Sequence, residues 1–404
     1  LNHPMMGAAA LARALAVRDL TDPAQGPHAV QRVLGAAANA LIAAWSCPAI
    51  VERASPIVSI ADNYDRLGYP PDGAARDARY TRYVSETHLL RTQTSALVPP
   101  LLRRLAAAPP RDALLVCPGV VYRRDAIDRL HVGEPHQVDL WRVRRGAPLG
   151  VRELAEMIAT VARAIVPGLT VTVAQSAHPY TREGRQIDVR IRGEWIEIGE
   201  CGLAAPEVLR DAGLPTDASG LAMGLGLDRL VMIAKGLDDI RLLRAADPRI
   251  AAQMLDLAPW RPVSRHPPVR RDLSVAVAAE ATAEALGDRV REALGDRAAD
   301  VEAVELLSET PAAALPPAAR ERLGISAGQK NVLLRLVLRA LDRNLTAPEA
   351  NALRDAVYAA IHQGSARERA SGAPPLPPPA GGDARPRRAA RTERPAPARG
   401  FHHP

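Results

Sequence analysis

Apolar residues recur along this chain in two rhythms, and their alternation predicts the order of elements. Residues 28–45 carry Val30, Val33, Leu34, Ala37, Leu41 and Ala44 at helical spacing. Before them, residues 1–20 hold an alanine-rich helical pattern that the stretch from Thr21 to Gly26 breaks. Residues 49–60 read as a strand interrupted at Ser55-Pro56, and residues 63–79 as a turn-rich loop. Residues 80–105 resume helical character. Residues 116–143 place apolar positions on both sides of a charged turn: Val116, Val120 and Tyr122 before it, Val138, Leu140 and Val143 after it. This predicts two antiparallel strands, and the bland reading of the turn is a solvated loop. Residues 151–165 form an amphipathic helix closed by Pro167-Gly168. Residues 169–173, 186–191 and 194–201 alternate as strands, and residues 221–235 begin glycine-rich and end helical.

The texture changes after Pro262. Strand (272–277), helix (282–294), strand (301–307), proline-rich loop, strand (331–338) and helix (347–361) suggest a small ferredoxin-like α/β sandwich. From Gly364 onward Pro, Ala, Arg and Gly dominate, with no periodic apolar positions, so a disordered tail is expected. The expected fold is therefore α+β, with domains at residues 1–261 and 262–363 and a tail at 364–404.

A length of 404 residues accommodates these units, and a formal charge of +7 favours a nucleic-acid partner. Arginine-rich, alanine-rich composition from a GC-rich genome explains that charge as readily. Cys47, Cys117 and Cys201 are scattered with no CxxC spacing, which speaks against a disulfide framework or zinc site and for a reducing cytoplasm. No apolar run approaches the roughly 20 residues that span a bilayer. No basic segment followed by an apolar one opens the chain, so no signal peptide is expected.

Three stretches carry candidate chemistry. Arg123 ends the first strand of the hairpin, where a guanidinium can bind a phosphate oxygen and stabilise charge on phosphorus. Gly224 to Arg229 is a glycine turn running into a helix, which lets backbone approach a ligand and brings Arg229 to a terminal phosphate. The acidic strand with Glu197 and Glu200 could hold magnesium beside phosphates. Strict alternation places Glu197 with Trp195 and Cys201, and Glu200 on the opposite face.

In this order the stretches resemble the class II aminoacyl-tRNA synthetases, and within them the catalytic subunit of phenylalanyl-tRNA synthetase. The resemblance also runs through Asn63-Tyr64-Asp65, Pro70-Pro71-Asp72, Leu90 to Ser95, Val121 to Asp125 (motif 2), His136-Gln137-Val138-Asp139, Gly224 to Arg229 (motif 3) and Asp238 to Arg241. Pro267 to Leu273 and Arg343 to Thr346 resemble that family's ferredoxin-fold anticodon-binding domain. The implied activity is ATP-dependent formation of an aminoacyl-adenylate and transfer to tRNA, with ATP and Mg2+ required. The alternatives are a paralogue serving a non-tRNA acceptor and a non-catalytic RNA-binding relic. By the same resemblance Arg123 binds the α-phosphate, Arg229 the γ-phosphate and His131 the triphosphate, and Asp125 faces the adenosine. Gln137, Asp139 and Ser95 hold the ammonium, Gln93, His178, Tyr180 and Ala222 line the amino-acid pocket, and Glu197 or Glu200 binds the metal. A homodimer through residues 50–60 follows by analogy, with a monomer as the alternative, and tRNA is expected on the C-terminal domain.

The departures gather in the amino-acid pocket. The family's two gripping rings are replaced by His178 and Tyr180, its THTS histidine by Gln93, and its adenine-stacking ring by Pro135. Asp139 is shorter than the family's Glu. Loss of stacking at Pro135 is worth about 1–3 kcal/mol of adenine binding, with His131 a candidate replacement. Polar atoms at His178 and Tyr180 point away from phenylalanine and toward a polar aromatic or otherwise modified amino acid, the bland alternative being drift in a pocket that still takes phenylalanine.

Overall fold

The computed structural model describes residues 4–366, apart from residues 79, 125, 264 and 265. The strands in chain order are β1 (Ala49–Val51), β2 (Ile57–Ser59), β3 (His88–Leu90), β4 (Asp112–Val120), β5 (His136–Arg145), β6 (Val171–Gln175), β7 (Thr181–Ile191), β8 (Glu194–Ala204), β9 (Ala218–Gly226), β10 (Val269–Ala278), β11 (Val301–Pro311) and β12 (Gln329–Leu338). A seven-stranded sheet runs β1-β4-β5-β9-β8-β7-β6. The β1–β4 pair is parallel and the rest of this sheet is antiparallel. β2 and β3 form a separate antiparallel pair.

One face of the large sheet is covered by two helices. Helix Ala29–Trp45 buries Val30, Val33, Leu34, Ala37 and Leu41, the stripe its sequence spacing predicts. Helix Val151–Ile165 buries Leu154, Met157, Val161 and Ile165. Both pack on Leu114, Val116, Val138, Leu140, Leu221, Met223 and Leu225 in a single core. The opposite face is set by the β5–β9 register. Gln137 pairs with Gly226, Asp139 with Gly224, Trp141 with Ala222 and Val143 with Gly220. On that face β9 carries three glycines and two alanines, so it forms a floor almost free of side chains. The strip also needs close backbone packing. A Cβ on Gly199 of β8 would sit 2.3 Å from the carbonyl oxygen of Gly224.

The helical expectation for residues 80–105 holds only at its end, as helix Val98–Leu105. Upstream, β3 and the 3-10 turn Thr94–Leu97 take its place. Thr94 and Ser95 donate their hydroxyls to the Asp139 carboxylate, a local geometry that a continuous helix would not supply.

The C-terminal elements occur as expected. β10, β12 and β11 form an antiparallel sheet in that order. Helices Ala283–Leu294 and Ala347–Ile361 bury Leu286, Val290, Leu353 and Val357 against Val275, Val332, Leu334 and Leu336. Thr346 and Glu349 close a capping box at the start of the second helix. The stretch expected to be only a proline-rich loop contains helix Pro317–Leu323, whose proline begins its first turn.

The charged turn between β4 and β5 is not simply solvated. It is clasped by the C-terminal elements. Ile127 is 7% exposed and joins their core, while its carbonyl accepts from the Val304 N–H at 2.8 Å. Arg291 donates to the carbonyl of Ala126 at 2.7 Å. Arg82 bridges Glu134 of the turn (2.6 Å) and Asp288 (2.9 Å). Arg241 binds Asp239 and donates to the carbonyls of Ala299 and Arg339. Among the described residues no helix is long and apolar enough to cross a membrane.

Ile127→Ala removes a buried side chain shared by both units and should cost roughly 2–5 kcal/mol. Denaturant unfolding, with hydrogen exchange across residues 123–135, checks this. Unchanged stability together with unchanged protection would show that the buried Ile127 side chain contributes nothing.

Candidate active site

The glycine-lined floor of β9 lies beneath a cleft of about 420 Å3. Arg123, His131, Gln93, Ser95, Gln137, Asp139, His178, Tyr180, Glu197, Glu200 and Arg229 all line it. The structure thus brings together the residues singled out in the sequence, with two exceptions. Asp125 lies outside the described residues. Ala222 is not part of the cleft lining. It is 1% exposed and packs in the core with Trp141, Leu209 and Tyr180.

The two arginines are held by backbone carbonyls. Arg123 donates from Nε to the carbonyl of Thr92 at 3.0 Å. Among the described residues its two Nη atoms meet no other acceptor, so they remain available to an anion. Arg229, on helix Leu227–Lys235, donates from Nη1 to the carbonyl of Glu197 at 3.0 Å. His131 contacts both oxygens of Asp128, at 2.7 and 2.9 Å. Burial is the largest influence and would raise the Asp128 carboxyl, but the His131 hydrogen bond, the Leu130 N–H and the His131 charge together hold the group below its ordinary value.

Glu197 and Glu200 both face the cleft, contrary to strict alternation. The partner of Ile187 is Gly199 and the partner of Asp188 is Glu197, so Ile198 is an extra residue in β8. This bulge reverses the facing of the strand between the two carboxylates. Their environments differ. Glu200 accepts from His178 Nε2 at 2.6 Å and from the Ser176 hydroxyl at 3.0 Å. Burial is the largest influence and works against its charge, yet the His178 bond and charge, the Ser176 hydroxyl and the Arg123 charge together lower its pKa. His178 is raised in turn, chiefly by that bond. Burial, then proximity to Glu200, raises Glu197. Its side chain makes no ion pair among the described residues, so it is the carboxylate that remains open to a cation. No three His, Cys, Asp or Glu converge among the described residues into a cage made by protein alone.

Asp139 is the most constrained acid. It is 3% exposed and accepts from Ser95 (2.9 Å), Trp141 Nε1 (3.1 Å) and Thr94 (2.8 Å). Burial raises its pKa despite these three donors. Its neighbour His136 is structural. The Leu20 N–H donates to Nε2 at 3.0 Å, which leaves the Nδ1 proton for Asp228 at 2.8 Å. Gln93 is fixed by the Tyr69 hydroxyl, which donates to Oε1 at 3.0 Å, and by the carbonyl of Asn63. Trp141, Thr94, Ser176 and Tyr69 were not singled out in the sequence. Trp141 was within reach, since alternation along β5 puts it on the face of Asp139. Tyr69 comes from a loop whose spacing gives no signal.

The His178–Glu200 pair makes a pH prediction. His178 should titrate above its ordinary value of about 6.5, and Glu200→Gln should bring it down. Since the folded value is raised, the pair's stabilisation is complete below the ordinary value. It is lost as pH rises through the raised value. Imidazole NMR titration reads this directly, and a His178 value at or below 6.5 would contradict it.

A sequence model of the family "tRNA synthetases class II core domain (F)" matches residues 48–254, half of the chain. The chain is similar to the phenylalanine-tRNA ligase alpha subunit of Prochlorococcus marinus (strain NATL2A), at 38% identity over 192 residues. That match covers 47% of this chain and 56% of the relative. It is similar also to the protein of the same name from Nostoc punctiforme, 35% identical over 192 residues, with the same two shares covered. The chain thus spans little more than half the length of these relatives. A solved pyrrolysyl tRNA synthetase from Desulfitobacterium hafniense aligns with a TM-score of 0.41 and 18% identity, over 54% of this chain and 73% of that one. The core match, together with the cleft in which Arg123 and Arg229 meet, places this chain in the class II aminoacyl-tRNA synthetase family.

Proposed function

We propose that this chain activates an amino acid with ATP and passes the acyl group to tRNA, in the manner of phenylalanyl-tRNA synthetase but with an altered side-chain pocket. The observation that carries this reading is the single cleft lined by Arg123, Arg229, Glu197 and Asp139. An amino-acid carboxylate needs no general base, because it is already a nucleophile. It attacks the α-phosphorus, an O–P bond forms, the bond to the β-phosphate oxygen breaks, and pyrophosphate leaves. The protein's task is alignment and charge stabilisation. Arg123, with both Nη atoms available, takes the α-phosphate and the carboxylate. Arg229 takes the γ-phosphate, and His131, steadied by Asp128, lies along the triphosphate. Gln137 and the Asp139 cluster receive the ammonium.

Glu197 fits a Mg2+ shared with phosphate oxygens, since Glu200 is already taken by His178 and Ser176. When bound, that ion would neutralise charge on the phosphates. The domain reading is residues 1–261 as the catalytic unit, 262–363 as a ferredoxin-like unit and 364–404 as a tail of which residues 367–404 lie outside the described residues. The β10-β12-β11 sheet under two helices supports the second of these. This unit is the proposed tRNA contact. Several of its arginines are, however, internally paired: Arg335 with Asp272, and Arg339 with Glu302. RNA contact therefore falls to its other cations, Arg270 among them. A homodimer is proposed through β1, an edge strand with Val51 58% exposed. A cytoplasmic setting agrees with three free, buried cysteines.

Amino-acid-dependent exchange of labelled pyrophosphate into ATP, run over a panel of amino acids, tests the reading. Arg123→Ala should lower exchange at least roughly 100-fold, and Arg229→Ala should raise the KM for ATP. No exchange with any amino acid would overturn activation. Exchange without charging of tRNA would move the acyl group to another acceptor.

A further inference from the structure

The amino-acid end of the cleft is filled by the protein's own rings. Asp139 marks where an ammonium sits, and Trp141 lies two residues further along the same face of β5. Trp141 is fully buried, with its Nε1 donating to Asp139. Tyr180 stacks on it, with centroids 6.0 Å apart and planes at 22°. Tyr69 covers Tyr180 in turn, at 6.3 Å. Ala222, which pairs with Trp141 across the sheet, is shut behind this stack. A side chain leaving its Cα beside Asp139 along the sheet therefore meets Trp141 and Tyr180 almost at once. A phenyl ring would have to separate them.

The walls that remain are polar. Gln93, Tyr69, Tyr180 and His178 line this end, and each carries a hydrogen-bonding atom. Two of them are rigid. Gln93 is fixed by Tyr69 and by the Asn63 carbonyl, and His178 is anchored on Glu200, itself bonded by Ser176. A wall of polar groups held in place by partners of their own suits a side chain that adds a hydrogen bond to them and disfavours an apolar ring that covers their remaining polar atoms.

We propose that this cleft takes a small α-amino acid whose side chain ends in a hydrogen-bonding group, in the size range of serine, threonine and asparagine, and excludes phenylalanine. The inference rests on the adenylate-forming reading of the cleft, and it names that reading's substrate class.

The test is calorimetric titration of the full chain with non-hydrolysable aminoacyl-sulfamoyl adenosines carrying serine, threonine, asparagine or phenylalanine, beside pyrophosphate exchange with the free amino acids. At least one of the small polar compounds should bind 100-fold or more tightly than the phenylalanyl compound. Equal or tighter binding of the phenylalanyl compound overturns the inference and leaves activation standing. Tight binding of a small polar compound without exchange overturns activation and leaves the substrate class standing. Binding of none overturns both. In Tyr180→Ala the gap between the small and phenylalanyl compounds should narrow at least tenfold. An unchanged gap would show that the ring stack is not what excludes the larger side chain, and would overturn this account.

Discussion

The cleft depends on the register in which β5 pairs with β9. With Asp139 opposite Gly224 and Trp141 opposite Ala222, the polar members of β5 project over a floor almost free of side chains. A slip of one residue would turn Gln137 and Asp139 into the core and bring Val138 and Leu140 out. The register is secured from behind. Val138, Leu140, Met223 and Leu225 are buried together under the two covering helices, so a slipped pairing would expose that whole set to water. The chemistry on one face is thus held in place by hydrophobic burial on the other.

The same frame fixes the charges. Asp139 is tolerated in the interior because three donors converge on it, and Asp228 because His136 and the His136 N–H bind it. The bulge at Ile198 does different work. It turns two acids of one strand toward the cleft, and the surroundings then separate their roles. Glu200 is paired and kept ionised by His178, whereas Glu197 is left raised and open. Two like residues three positions apart thereby acquire distinct properties from their neighbours alone.

Much of this was legible in the sequence, for reasons that are physical. Arg123 and Arg229 were legible as phosphate-binding candidates on a strand end and after a glycine turn, Gln137 and Asp139 through the family resemblance, and all four line one cleft. The two covering helices were legible from their stripes. The bulge was not, because alternation assumes a period of two, and the one marker of the break at Ile198 is the adjacent Gly199 inside the strand. Nor was the burial of Ala222, since a small residue on the floor reads as open space until Trp141 and Tyr180 are seen to close it. The clasp on Ile127 was hidden for a different reason. The charged residues around it suggest a solvated turn, and only the distant sequence of the C-terminal elements supplies Asp288, Arg291 and Val304.

These features converge on one claim, that the cleft drives attack of a carboxylate oxygen on the α-phosphorus of ATP. An isotope experiment tests that step itself. The chain is incubated with ATP and a small polar amino acid carrying 18O in its carboxylate. The product is trapped with hydroxylamine, and the released AMP is weighed by mass spectrometry. The account predicts AMP bearing one 18O atom, the oxygen that formed the bond to phosphorus. Release of AMP without label, or of ADP in its place, would contradict it.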